Sequence, residues 1–412
     1  WNTRDRIKRN VLINDIEKGG LGMLDLESHI CALKASWISR LIQAHTGNAN
    51  WPSILSASLK MKGMDIIFLL QCNVKNKEIL MQNNIVPEFY AEVITSFNKC
   101  KSIKNMQLMS NFEFQTQTLC LNSNFCLNRK PIYIPNLLKS GLKYVNDVLD
   151  QNGNILSPES FRAKLKSSAN WLIEFNIITK ILKKQVTSRE MSKITNQIHS
   201  IYLYANKKCF KIENQKSGFF YDILITKKAE TPTSERYWSR RLNISTLNWQ
   251  DINNVKIKLF PEKKVGEFNY KLIHNLVASG YVLSKWNPNF SGFCQNDQCS
   301  DIETTEHMLY NCHKIKPIWD LVSGILKIKI DWRCIVLGPP LMITLAQKQK
   351  MVIISMLTFT LYKYWLNNRG NFNLHALLLM IKQELAITAK VYRLVANKYI
   401  NHKMLLSLYE AL

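Results

Sequence analysis

The segment Cys294–Cys312, CQNDQCSDIETTEHMLYNC, constrains the fold more than any other part of the chain. Three cysteines and His307 fall within 19 residues, and His313 follows directly. Thiolate and imidazole are the donors that tetrahedral zinc prefers, and a structural zinc site takes four of them. The spacing Cys294-x4-Cys299-x7-His307-x4-Cys312 supplies such a set, with its first gap at the wide end of the range used by zinc fingers. His313 is an alternative to Cys312 as the fourth donor. The stretch TTEHMLYNC reads as helical. Positions 307 and 312 then lie about one and a half turns apart, and Cys312 has to turn inward at a frayed end. The bland alternative is a set of ordinary thiols in a polar loop. A catalytic zinc fits less well, because such a site keeps an open position and a nearby base, and Glu306 on a helix points away from its neighbour His307. A bound zinc would contribute on the order of 10–16 kcal/mol, the apparent value in isolated finger peptides. It would fix a rigid knob between the helix in EFNYKLIHNLV and the helix through Trp319.

Around this segment the chain reads as mainly α and multi-helical, with a few short strands. Ile30, Leu33, Trp37, Ile38 and Leu41 recur at helical spacing and predict a helix over about Ser28–Gln43, after a turn at Gly19, Gly20 and Gly22. That GGLG turn lacks the features of a phosphate-binding loop. Helices are expected over Trp51–Lys60, Val86–Lys99 and Pro135–Lys139, with another helical piece ending at Asp150. FQTQTLCLNSNF alternates apolar and polar residues, the pattern of a strand. Asn152-Gly153 marks a tight turn. Ser157-Pro158-Glu159 starts a helix that carries Phe161 and Leu165 and then Trp171-Leu172. One helix is expected through Trp238, Leu242 and Trp249. The next presents Phe268, Leu272, Ile273 and Leu276 on one face and ends at Gly280. The apolar run Met351–Leu366 is too short for a membrane span and contains Lys363, so it reads as a buried helix. The expected divisions are 1–45, 46–230, 231–325 and 326–412, with a polar hinge near Thr231–Ser234.

Charge points to the partner. The 412 residues carry 55 Lys and Arg against 30 Asp and Glu, a net charge of +25. Between Phe161 and Phe260 the counts are 19 and 7, a net +12. Basic residues that neutralise phosphates release counterions, so a polyanionic partner is expected. Aromatic residues interleave these basic clusters, which suits phosphate contact combined with base stacking, although amphipathic helices with solvated basic faces give the same pattern. Ten cysteines without a secretory signal read as the thiols of a reducing compartment.

EFNYKLIHNLVASGYVLSKW, the paired cysteines and ETTEHMLYNCHKIKPIWDLV together resemble the zinc-binding CCHC module that follows the polymerase in LINE-type (non-LTR) retrotransposons. The matching positions are Phe268, Lys271, Leu272, His274, Cys294, Cys299, Glu303, Thr304, His307, Cys312 and Trp319. The gap between the first two cysteines is wider here than is usual in that family. WNTRDRIKRNVLINDIEKGGLGMLDLESHICALKASWISRL resembles the segment after the reverse transcriptase core, GLKYVNDVLDQNGNILSPESFRAKL a connector, and RCIVLG with its following helices the polyprotein tail. The resemblance implies a C-terminal part of a reverse transcriptase polyprotein, cut from something longer, with endonuclease and polymerase domains upstream. It implies an intracellular ribonucleoprotein, cytoplasmic and nuclear, without a membrane. No Tyr-x-Asp-Asp turn is present, since Tyr221-Asp222 is followed by Ile223, so the chain is not expected to polymerise alone. Its expected role is to hold template RNA and target DNA. Lys263, Lys264, Lys271, Lys285, Lys314, Lys316, Arg240 and Arg241 are the candidate phosphate contacts. Tyr270, Trp286 and Phe290 are candidates for stacking or for packing. The alternatives are a zinc-dependent hydrolase or nuclease using Glu306 or Asp297, and a non-functional retrotransposon remnant.

Overall fold

The computed structural model describes residues 7–46, 51–101, 109–165, 169–189, 192–194, 202–205, 208–244, 247–260, 262–296, 299–338, 344–395 and 401–412. The described residues are mainly helical, with two short antiparallel hairpins, Cys126–Leu127 with Lys130–Pro131 and Tyr202–Ala205 with Lys208–Lys211. They form two compact units, Leu24–Lys228 and a second made of Trp1–Met23 with Ala229–Leu412. Asp297 lies outside the described residues.

In the Leu24–Lys228 unit, the Leu26–Thr46 helix packs against the Glu88–Cys100 and Ser217–Lys228 helices. Close approach is possible because Ala32 and Ala35, both fully buried, stand on the contact face with Ile38 and Leu41. Ile30, Leu33 and Trp37 follow the same period but lie on the exposed side. Phe97 and Phe220 meet edge to face at 6.3 Å, and each contributes about 1.5–3 kcal/mol by burial. The Lys227 Nζ donates to the carbonyls of Lys99, Cys100 and Lys101, which occupies acceptors left open where the Glu88–Cys100 helix ends.

Three local expectations for this unit differ from the structure. FQTQTLCLNSNF is not a strand. Ser110 and Glu113 form a capping box that begins a helix over Asn111–Gln115, and irregular chain with isolated bridges follows. There the polar members of the alternation, Thr118 and Asn122, are buried along with the apolar ones, and the Asn122 amide folds back onto the Thr118 carbonyl at 3.0 Å. The helical piece before Asp150 is a 3-10 turn over Val145–Val148. The helix capped by Ser157 runs over Pro158–Lys164, and Trp171 opens a separate one, Trp171–Thr187.

In the other unit the Leu345–Asn368 helix is the central element, buried along Met351–Leu357 as the apolar run implies. Around it stand the Lys263–Ile273, Trp332–Leu337 and Leu374–Val395 helices. Thr233–Leu242 and Trp249–Asn253 are two helices rather than one, because Asn243 adopts a left-handed φ of 52° and closes the first. Trp238 is fully buried and donates its indole N–H to the Ile273 carbonyl at 2.8 Å. The segment through Gly19 belongs to this unit: the Asn14 amide donates to the Glu230 carbonyl at 2.8 Å and Lys258 pairs with Glu17 at 2.9 Å. Among the described residues no helix is long and apolar enough to cross a membrane.

Lys256, in a π turn over Asn254–Lys258, is completely buried. Its Nζ donates to the Ile335 carbonyl at 2.6 Å and the Ser355 hydroxyl at 2.9 Å, and burial pushes its pKa down to about 7. Between that value and the ordinary lysine value the unfolded chain holds a proton that the folded chain lacks. Stability therefore rises with pH from about 7 upward, and the contribution is lost as pH falls through 7. Urea unfolding of wild type and Lys256→Met at pH 7 and pH 9 is expected to show a larger rise in the wild type, because buried Lys101, also lowered to about 7, contributes to both proteins. Equal pH dependence in the two proteins would refute the assignment.

Candidate metal centre

The four predicted donors converge. Cys294, Cys299, His307 and Cys312 each offer a ligand atom, and these atoms all lie within 4.8 Å of one another. The Cys294 and Cys312 sulfurs are 4.0 Å apart, and the Cys299 sulfur lies 3.3 Å from His307 Nε2. Around a tetrahedral zinc with its usual bond lengths the corresponding separations are about 3.8 and 3.6 Å. Four donors of this type at these distances can hold a metal ion.

The backbone explains the convergence. Phe293 and Ile302 form an antiparallel bridge, and the Cys294 N–H donates to the Asp301 carbonyl at 2.9 Å. The Cys299 N–H turns back to the Asn296 carbonyl at 3.0 Å, which aims Cys299 into the loop. The Thr304 hydroxyl accepts the His307 N–H at 3.1 Å and so caps the turn that carries the imidazole. That turn is a π-helix over His307–Asn311, closed by the Cys312 N–H on the His307 carbonyl at 2.9 Å. In an α-helix residue 312 would point roughly 140° away from residue 307. The i-to-i+5 closure brings it back onto the same side. No frayed end is needed, and the fourth donor is Cys312; His313 is exposed.

The electrostatics suit a shared cation. Cys294, His307 and Cys312 are buried and Cys299 is half-buried. The Cys294 thiol donates towards Cys312, which holds the Cys312 thiol far below the ordinary range while raising that of Cys294; His307 and the Asn296 amide, 3.3 Å from the Cys312 sulfur, add to the effect on Cys312. His307 is raised, chiefly by its bond to Cys312. A metal ion bound here would replace the proton these groups share. On the outer side His307 Nδ1 faces an Asp301 carboxylate oxygen at 3.5 Å, the usual arrangement for fixing which imidazole nitrogen binds metal.

Other residues flanking the four donors have structural roles that their spacing did not disclose. The Glu303 carboxylate, 2 % exposed, accepts the Trp365 indole N–H at 2.7 Å and pairs with Arg369 through Nε at 3.0 Å and Nη2 at 2.8 Å. Arg369 also donates to the Ser291 carbonyl at 2.5 Å, so the finger is tied on both sides to the end of the Leu345–Asn368 helix. Trp319 donates its indole N–H to the Leu309 carbonyl at 2.8 Å, satisfying an acceptor in the π turn. Phe268 stacks on Tyr362 with centroids 5.0 Å apart. Gly280 does not end the preceding helix; Asn275, with φ 55°, lies just beyond its end at Ile273. Gly280 begins the next helix, Gly280–Ser284, where a Cβ would lie 2.0 Å from the Glu303 carboxylate.

The candidate phosphate contacts all lie in this same unit. Lys263, Lys264 and Lys271 are exposed on the Lys263–Ile273 helix, and Lys285 is exposed after Gly280–Ser284. Lys314, half-buried, and Lys316, exposed, follow the candidate donor Cys312 closely. Arg240 is exposed; Arg241 is engaged by Glu306 and stands over Tyr237 and Trp238. Tyr270 is buried and its hydroxyl reaches the Gly19 carbonyl at 3.4 Å, which removes it from the stacking candidates. Trp286 and Phe290 are exposed. No protein-family model and no curated protein matches the chain.

Proposed function

We propose that this chain is the nucleic-acid-binding C-terminal part of a non-LTR retrotransposon reverse transcriptase. Its zinc-stapled finger and basic surface would hold template RNA and target DNA for upstream polymerase and endonuclease domains. The observation that carries the reading is the convergence of Cys294, Cys299, His307 and Cys312 in the pattern that resembles the CCHC module, within a unit bearing exposed Lys263, Lys264, Lys271, Lys285 and Lys316. Three thiolates with one imidazole suit zinc, whose chemistry here is to hold the finger folded. The net charge of +25 supports a polyanionic partner. A zinc hydrolase is less favoured: four side chains fill a tetrahedral ion, and Glu306 is occupied by Arg241.

Fluorescence anisotropy with labelled RNA and DNA strands between 50 and 200 mM salt tests the proposal. Affinity is expected to fall steeply with salt and to depend little on sequence. Changing Lys263, Lys264, Lys271 and Lys316 together to Ala is expected to reduce the log–log slope for a single strand by about 3, from roughly 0.7 per phosphate contact. Salt-insensitive binding, or a slope unchanged in the variant, would overturn it.

A further inference from the structure

The finger carries aromatic rings that its core leaves out. Tyr281 is 40 %, Trp286 53 %, Phe290 40 % and Phe293 57 % exposed, all within 13 residues, and Ile302, across the bridge from Phe293, is 51 % exposed. Large apolar side chains scattered singly over a surface are ordinary, but four exposed rings within 13 residues concentrate apolar surface on one segment. The backbone under them is fixed. The Tyr281 N–H donates to the Glu303 carbonyl at 3.1 Å, the Glu303 N–H to the Gly292 carbonyl at 2.9 Å, and Phe293 adjoins the ligand Cys294. The rings thus sit on chain that is hydrogen-bonded to the segment carrying the candidate donors, with Phe293 next to one of them.

An exposed cation accompanies the rings: Lys285 Nζ lies 4.1 Å from the Tyr281 centroid, whereas the Arg369 guanidinium, 5.3 Å from that of Phe290, is held by Glu303 and the Ser291 carbonyl. Of the acids among the described residues of these segments, Glu303 is buried on Arg369, and Asp301, 74 % exposed, faces His307.

We propose that Tyr281, Trp286, Phe290 and Phe293 form a stacking platform for the unpaired bases of single-stranded nucleic acid. This inference rests on the nucleic-acid reading above and names the substrate class. Every base has a π face, so flat exposed rings accept any sequence, and a cation beside them, Lys285, meets the phosphates that follow. In a duplex those faces are covered by neighbouring pairs, so the platform discriminates strand from duplex. A protein partner or a second copy would use the apolar area, but the charge complementarity of a chain at +25 favours a polyanion.

The test uses the full zinc-loaded chain with a labelled 15-nucleotide RNA strand of mixed sequence and the matching 15-base-pair duplex. Trp286→Ala combined with Phe290→Ala is expected to weaken strand binding by about 30-fold and duplex binding by less than about twofold. Trp286→Phe should keep most of the strand affinity, and unchanged zinc content shows that the finger is intact. Equal losses on strand and duplex, or no loss on either, would overturn the platform while leaving nucleic-acid binding in place. If the wild-type chain binds neither probe, the underlying reading falls and this one with it. If the double variant changes only the sedimentation of the chain, from dimer to monomer, the face is a self-contact and the platform is refuted.

Discussion

Stripping the metal with a strong chelator is expected to lower the thermal midpoint of the chain by about 10 °C or more, with hydrogen exchange rising first across residues 292–312. The size follows from what the centre replaces. Among the described residues from Phe293 to Cys312 the backbone is held by one bridge, a few turns and one π turn, while Cys294 and Cys312 themselves belong to the hydrophobic core of their unit. Structural zinc contributes on the order of 10–16 kcal/mol in isolated fingers, and even a third of that is comparable with the whole stability of a domain. In a unit of this size each kcal/mol moves the midpoint by about 2–4 °C. Cys294→Ser, Cys299→Ser, His307→Ala and Cys312→Ser are each expected to lose the bound zinc, read by metal analysis and by thiolate absorption after cobalt substitution. His313→Ala should retain it. Because the donors must be deprotonated, the metal is also expected to leave as pH falls. One equivalent of zinc in all four ligand variants would dismiss the centre.

The cluster that could hold a metal was legible because its chemistry is local: four candidate donors lie within 19 residues, and no distant element has to be known to list them. What spacing left open was the choice between Cys312 and His313, since α-helical geometry turns Cys312 away. The π turn over His307–Asn311 resolves it, and π turns have no sequence signature comparable to a cap. Helices with clear start signals were readable: Pro135–Lys139, which opens on a proline, and the Ser157-capped helix start where their sequences say. The errors came from tertiary context. The alternation in FQTQTLCLNSNF predicts a surface strand, but both of its faces are buried, so period two carried no information about exposure there. On the Leu26–Thr46 helix the contact face is set by Ala32 and Ala35, small residues with little weight in a hydrophobic pattern, while the larger Ile30, Leu33 and Trp37 face outward. Glu303 was visible as part of a familiar pattern, but its role was not, because Trp365 and Arg369 lie more than 60 positions further on.

That distant contact gives the second large effect. Glu303→Ala is expected to destabilise the finger's unit by about 3–5 kcal/mol, the usual cost of removing one partner from a buried ion pair. Arg369, whose side chain is 14 % exposed, would lose its carboxylate, and the Trp365 indole its acceptor. Gly280→Ala should be costly for a related reason: its Cβ would stand 2.0 Å from the Glu303 carboxylate and 2.4 Å from the Arg369 guanidinium. The two changes share one space, so their costs should not add. Removing the carboxylate clears the worst collision, leaving only the end of a flexible arginine to move aside. Urea unfolding of both single variants and the double variant, each with zinc bound, is expected to show the double less destabilised than the sum by more than about 1 kcal/mol. Additivity within about 0.5 kcal/mol, the behaviour of independent sites, would mean that Gly280 is required for some reason other than room for Glu303. The clamp would then cease to explain why a residue without a side chain opens the Gly280–Ser284 helix.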